Sequence, residues 1–247
     1  MIDCNASLGN WPFRRLKHCD PESSLALMDR NGIAQAWVSP LEATLYRSLY
    51  EANAALRNQL SACADRLLLV PAINPLYPGW EDDLAEYAHW GAFALRLLPA
   101  YHGYDLLSGD LAALLRKAEG LGLVVQITVR MQDERLHHPL VRVPPLDLEP
   151  LPRLAGDFPS LRFMVLNAAR AEVRPCANVW WDISHTEGLG GVGGLVDSVG
   201  ADRVVLGTHA PLLYMASGVL KLTEADLPTA AVDLIRTGNA RALMAGN

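Results

Sequence analysis

Leu123-Val124-Val125-Gln126-Ile127-Thr128-Val129-Arg130 is an apolar run broken by two neutral polar residues and closed by a cation. A strand buried on both faces reads this way, because both alternating sets of side chains must leave water. Gly122 stands just before it, and residues 111–120 carry a helical pattern upstream. Working outward, seven more runs of the same kind occur at residues 1–7, 35–39, 67–72, 92–97, 161–167, 179–184 and 203–208. Helical patterns lie between several of them. Residues 22–31 place Leu25 and Met28 at helical spacing with Gly32 just past the end, and residues 48–64 form a longer pattern. In 147–157, Pro150 and Pro152 leave only the second half as an expected helix.

Strands that alternate with helices predict parallel pairing through crossovers. Eight units in 247 residues predict an α/β protein, a single (β/α)8 TIM barrel occupying residues 1–247 as one domain. No internal repeat, linker or low-complexity tract interrupts it. Catalytic groups of such a barrel gather on the loops that follow the strands. Three of these loops stand out. Residues 131–146 carry Asp133, Glu134, Arg135, His137, His138 and Arg142, with the length of a lid or binding segment. Residues 99–109 carry Tyr101, His102 and Tyr104, and residues 185–194 are glycine-rich. No GxGxxG or GK[ST] pattern occurs, so a nucleotide loop is not expected.

Composition narrows the partners. Half the residues are hydrophobic and 19% are charged, which excludes a disordered chain. The net charge of −6 argues against nucleic acid. Cys4, Cys19, Cys63 and Cys176 form no CxxC pair, so neither a zinc ribbon nor a disulfide framework is expected. Reduced thiols, no signal segment and no membrane span predict a cytoplasmic protein. The expected partner is a small molecule, with a homo-oligomer left open.

Several stretches carry a resemblance. Ile2-Asp3-Cys4-Asn5-Ala6-Ser7-Leu8-Gly9 resembles an Asp-x-His-x-His-x-Gly opening, and Gly207-Thr208-His209-Ala210-Pro211 resembles a Gly-Ser-Asp-x-Pro ending. Leu161–Asn167, Leu123–Thr128 and Gly238-Asn239-Ala240-Arg241-Ala242-Leu243 resemble a sixth strand, a fifth strand and a closing helix. Together they resemble the amidohydrolase superfamily, in its amidohydrolase-2 branch of metal-dependent hydrolases and decarboxylases. The resemblance implies a metal site, yet each familiar ligand position departs from the pattern: Asn5, Ser7, Thr128, Asn167 and His209. Amides and hydroxyls are poor zinc ligands. The expectation is therefore no cofactor. The alternative is a divalent metal such as zinc, held atypically by His209, His185 and Asp182.

The polar residues at strand ends set the expected site. Arg96 and Arg130 are read as anion clamps, since an unpaired buried charge is costly and guanidinium geometry suits carboxylates. For Arg96 an internal ion pair with Asp3 or Asp182 is the structural alternative. His209 and His185 are the candidate proton carriers. Asn5 and Asn167 would align or polarise a reacting carbonyl, with Ser7, Thr128 and His102 binding substrate. Asp3 and Asp182 are assigned supporting roles, and Cys4 buried packing. The reading is an amidohydrolase-related hydrolase or decarboxylase-like enzyme for a small anionic substrate. The rivals are a non-catalytic binding or assembly barrel, and a metallohydrolase centred on His209 and His185.

Overall fold

A computed structural model describes residues 1–246. All eight expected strands form: β1 (Ile2–Leu8), β2 (Gln35–Pro40), β3 (Leu67–Leu69), β4 (Ala94–Leu97), β5 (Val124–Thr128), β6 (Arg162–Leu166), β7 (Val179–Asp182) and β8 (Val204–Val205). Every pairing between them is parallel. Ladders run β1-β2-β3 and β4-β5-β6-β7-β8. Parallel bridges cross both seams, Ala72 to Arg96 and Ala6 to Ala210. Backbone bonds reinforce the second seam, with Cys4 N–H on Leu206 O at 2.8 Å and His209 N–H on Asn5 O at 2.7 Å.

Most strands are shorter than the expected runs, and β3 and β8 keep only three and two residues. After Leu69 the chain still bonds both neighbours, but Pro71 has no amide hydrogen to offer. After Val205, the Leu206 N–H turns to Ile235 O at 3.0 Å instead of a strand. Helices α1 (Pro21–Arg30), α2 (Tyr50–Leu60), α5 (Gly109–Gly120) and α6 (Leu151–Asp157) lie where the pattern placed them, with α3 (Trp80–His89) and α4 (Pro99–His102) between α2 and α5. Asp20 caps α1 by accepting from Ser23 N–H at 2.9 Å, and Pro21 follows at the first turn. Five helices were not read from the sequence: α3, α4, α7 (Gly191–Val199), α8 (Met215–Glu224) and α9 (Thr229–Asp233). Part of the glycine-rich loop is therefore the first turn of α7. The chain closes with α10 (Asn239–Ala245), whose Ala240 and Leu243 pack with Ile2, Cys4, Val124, Met164 and Val205 in the barrel interior.

One irregularity positions the site. Between Asp3 and Ala6 the register of β1 against β2 shifts by one residue. Before it, Ile2 and Cys4 pack inside the barrel. After it, Ala6 and Leu8 pack outward with Met28 of α1. A bulge reverses the side-chain alternation. It sends Asn5 and Ser7 inward at the carboxyl end. Asp3 fastens the bulge, accepting Asn5 N–H and Thr208 N–H at 3.0 Å each and the Thr208 hydroxyl at 2.5 Å.

Candidate active site at the carboxyl end of the barrel

The strand ends assemble a buried polar network. The Asn5 side-chain amide donates to Asn167 Oδ1 at 2.7 Å and to Asp182 Oδ2 at 2.6 Å. Asn167 N–H donates to Asp182 Oδ1 at 2.9 Å, and its amide donates to Arg130 O at 2.7 Å. Ser184 Oγ donates to Asn167 Oδ1 at 2.8 Å. Asp182 is thus a hub between β1 and β6 and makes no hydrogen bond to His185 or His209. Burial raises its carboxyl above the usual range, and the Asn5 amide opposes that shift. Asp3 is raised to about 6, also by burial.

Arg96 lies beside this hub, 3% exposed. Its Nε donates to Gln126 Oε1 at 2.9 Å, and Nη1 donates to Ala6 O at 3.1 Å and Ser7 Oγ at 3.2 Å. Asp182 and Asp3 act on it only through space, and burial draws its pKa down to about 10, so it stays charged at neutral pH. Its Nη2 meets no partner among the described residues. Gln126 in turn donates to Cys4 O at 2.8 Å. That glutamine was not singled out from the sequence, although a polar residue inside an apolar strand has to find a partner.

His209 and His185 come together, ring centroids 5.6 Å apart. Both are held neutral, His209 at about 3 and His185 at about 4, chiefly by burial. His209 Nε2 lies 2.7 Å from Met131 O. A carbonyl can only accept, so Nε2 carries the hydrogen and Nδ1 presents its lone pair. That Nδ1, Asn5 Oδ1 and Thr128 Oγ1 are buried and unpartnered among the described residues. Asn167 and His209 both hold left-handed backbone, at φ 63° and 56°. Non-glycine residues adopt it rarely, and such positions concentrate at functional sites.

Two expected residues stand apart from this group. The Arg130 guanidinium pairs with Glu172. His102 Nε2 contacts Ala43 O at 2.9 Å, tying the loop after β4 to the loop after β2. Above the polar residues lies an apolar plug made by Trp11, Leu41, Ala43, Leu49, Ala72, Leu98, Met131 and Leu212. It draws on the loops after six strands, and Asn5, Arg96, Asn167 and His209 are buried beneath it. Cys4 is buried packing in the interior, and its thiol is pushed up by desolvation.

A family model described as amidohydrolase matches residues 11–244. The chain belongs to the amidohydrolase family. Solved structures share its barrel at low identity. A 2,6-dihydroxybenzoate decarboxylase complexed with 2,6-dihydroxybenzoate superposes with a TM-score of 0.78 at 15% identity, covering 99% of this chain and 98% of that one. An amidohydrolase described as putative, from Staphylococcus aureus, gives 0.76 at 10% identity, covering 99% and 100%. A dihydroxybenzoic acid decarboxylase from Polaromonas sp. JS666, with bound manganese and the inhibitor 2-nitroresorcinol, gives 0.76 at 13% identity, covering 99% and 96%. At these identities the likeness establishes the fold alone. No curated protein matches the chain.

The manganese in that decarboxylase corrects one expectation. The sequence reading of no cofactor is overturned, because structures of this family hold a divalent metal. Among the described residues, no three His, Cys, Asp or Glu side chains group to hold one. At the mouth, the Asn5 amide nitrogen faces Asp182 and His209 Nε2 faces a carbonyl. The buried described atoms there with unpartnered lone pairs are Asn5 Oδ1, Thr128 Oγ1 and His209 Nδ1, beside an Asp182 carboxylate that already accepts a bond on each oxygen. As arranged, this set does not fit the usual donor shell of a divalent metal. No described helix is long and apolar enough to cross a membrane.

Proposed function

We propose that this amidohydrolase-family chain is an enzyme acting on a small carboxylic acid, with decarboxylation as its reaction. One observation carries the reading: the buried Arg96 guanidinium keeps an unpartnered Nη2, and His209, near enough to feel that charge, keeps an unpartnered Nδ1. A carboxylate on Nη2 would receive a charge-assisted hydrogen bond. It would also raise the His209 pKa, because an opposite charge favours imidazolium. His209 then takes up a proton at Nδ1. When the carbon–carbon bond to the carboxylate breaks, carbon dioxide leaves and the carbon keeps the electron pair. The Nδ1 proton moves to that carbon. Thr128 Oγ1 and Asn5 Oδ1 are placed to orient a hydroxyl on the substrate. The decarboxylase relatives, named for 2,6-dihydroxybenzoate and 5-carboxyvanillate, support the choice of an anionic aromatic acid.

The test is carbon dioxide release by the full chain on a panel of aromatic carboxylic acids beginning with those two. Arg96→Met should weaken substrate use by roughly 2 kcal/mol or more. His209→Phe should abolish turnover while leaving binding detectable. A panel without turnover, with acids still binding at Arg96, would favour a second reading. The plug over the site supports it: the barrel keeps the pocket as a non-catalytic binding module.

A further inference from the structure

Residues 10–18 form a loop whose ends close by the Gly9 N–H bond to Cys19 O at 2.7 Å. Compact loops of this kind are packed by their own side chains and are frequently functional. Its inner face is apolar. Trp11 belongs to the plug, and Phe13 and Leu16 pack against it. Its outer face is basic, with Arg14, Arg15, Lys17 and His18 in sequence around Leu16. These cations sit in a chain of net charge −6. Yet among the described residues none of Arg14, Arg15 or Lys17 forms an ion pair. The acid on the wall is Asp20, whose carboxylate accepts from Ser23. Unpaired cations gathered on one short loop are a focused positive field.

The loop walls two cavities with the same five residues, Arg14 to His18. One, of about 340 Å³, is closed by the segment from Pro211 to Ala216. The other, of about 680 Å³, is closed by Gly9, Asn10 and Asp20. Both volumes fall in the range of about 300–1,000 Å³ typical of small-molecule sites. The loop is anchored rather than loose. Arg14 Nη2 donates to Leu212 O at 2.9 Å, and the Phe13 ring stacks on His138 at 5.4 Å. Leu212 is shared between the plug and the smaller cavity, so these cavities adjoin the barrel mouth.

We propose that this loop is a second binding site, for a phosphate-bearing small molecule held by Arg14, Arg15 and Lys17. Three unpaired cations ask for more charge than one carboxylate brings, and a phosphate group carries about −1.5 to −2. Guanidinium groups match its oxygens two at a time. The overall negative charge disfavours an extended polyanion, which would also meet the acidic remainder of the surface. The site does not depend on the reaction proposed for the buried residues.

Calorimetric titration of the full chain with inorganic pyrophosphate tests it. Saturable binding is expected. Arg15→Ala combined with Lys17→Ala should weaken it about tenfold or more. Lys117→Ala removes a cation elsewhere, on α5 and paired with Glu81, and should leave binding unchanged. Both altered residues of the double variant are exposed, and an unchanged melting midpoint would verify its fold. Should that variant melt early, Lys17→Met alone serves, with an expected loss of about threefold. Absence of saturable binding at millimolar pyrophosphate overturns the site. So does an equal loss in the Lys117→Ala control, which would mean diffuse charge and no built pocket.

Discussion

The side-chain amide of Asn5 donates to the Asp182 carboxylate across 2.6 Å, with both residues buried. This bond joins the first strand to the seventh beneath the mouth of the barrel. A neutral amide therefore satisfies a buried anion that has no cation in hydrogen-bonding contact.

Asn5→Leu should leave Asp182 Oδ2 without that donor. Leaving a buried carboxylate short of a hydrogen bond costs about 2–3 kcal/mol. Urea unfolding at neutral pH should show that loss. Adding Asp182→Asn to the leucine variant should recover part of it, since the uncompensated charge is gone. A leucine variant as stable as the parent would mean that water or a rearranged donor already serves Asp182.

Gly207 tests how closely the strands approach at this point. A Cβ there would lie 2.5 Å from Asp182 Oδ2, 2.7 Å from Asp182 Cβ and 3.0 Å from Asn5 Cβ. The Asp182 side chain is pinned by its own hydrogen bonds and cannot swing away cheaply. Gly207→Ala should destabilise by about 1–3 kcal/mol, the range for overpacking. It should also weaken any ligand that depends on the Asn5 orientation. Gly103→Ala, where a Cβ meets nothing within 4 Å but φ is 75°, isolates the cost of left-handed backbone alone.

Much of the scaffold was legible because parallel barrel strands are buried on both faces. Continuous runs such as 123–130 announce themselves without alternation. The helix α3 was missed although Glu81, Asp82 and Asp83 fill its first turn, the charge pattern that favours a helix start. Helix α7 was hidden by its own glycines. Within the candidate site, the family resemblance pointed to Asn5, Asn167, Thr128 and His209, and a charge closing an apolar strand pointed to Arg96. The bulge that turns Asn5 inward left no sequence signal, since it depends on Asp3 reaching Thr208 some 205 positions away. The Arg130–Glu172 pair and the Met131 carbonyl under His209 are likewise tertiary facts. Local reading can place a cation at a strand end but cannot name its counter-charge.

Asn53 tests the edge of the chain after β3 that faces β2, because the bonds to β4 are made by Pro71 O and Ile73 N–H and leave the Ala72 groups turned the other way. Its amide stands in for a missing strand partner, donating to Ala72 O at 2.8 Å and accepting Ala72 N–H at 2.9 Å. It also donates to the Tyr87 hydroxyl at 2.8 Å. Asn53→Ala orphans a backbone donor, a backbone acceptor and a phenol in the core. A loss of about 2–4 kcal/mol is expected, several unpaired groups at 1–3 each with partial relief. Chemical unfolding measures it, and a loss below about 1 kcal/mol would show this edge to be held by other contacts.

The two histidines make the stability of the fold sensitive to acid. Burial depresses His185 to about 4 and His209 to about 3, from 6.5. In the unfolded chain both take up protons as the pH falls through 6.5, while the folded chain resists. Their contribution is therefore complete above pH 6.5 and is lost as the pH falls toward 4 and then 3. Asp3 acts the other way. Raised to about 6 from 3.8, it binds its proton more tightly in the fold, and its contribution declines as the pH rises between those values. The total profile is thus a partial cancellation, and a difference measurement is needed. His185→Asn removes one histidine term and leaves Asp3 in place. Between pH 6 and 4.5 the parent should lose stability faster than this variant, by at most about 1.4 kcal/mol per pH unit. Parallel profiles across that window would mean that His185 titrates normally in the fold and is not held neutral by its burial.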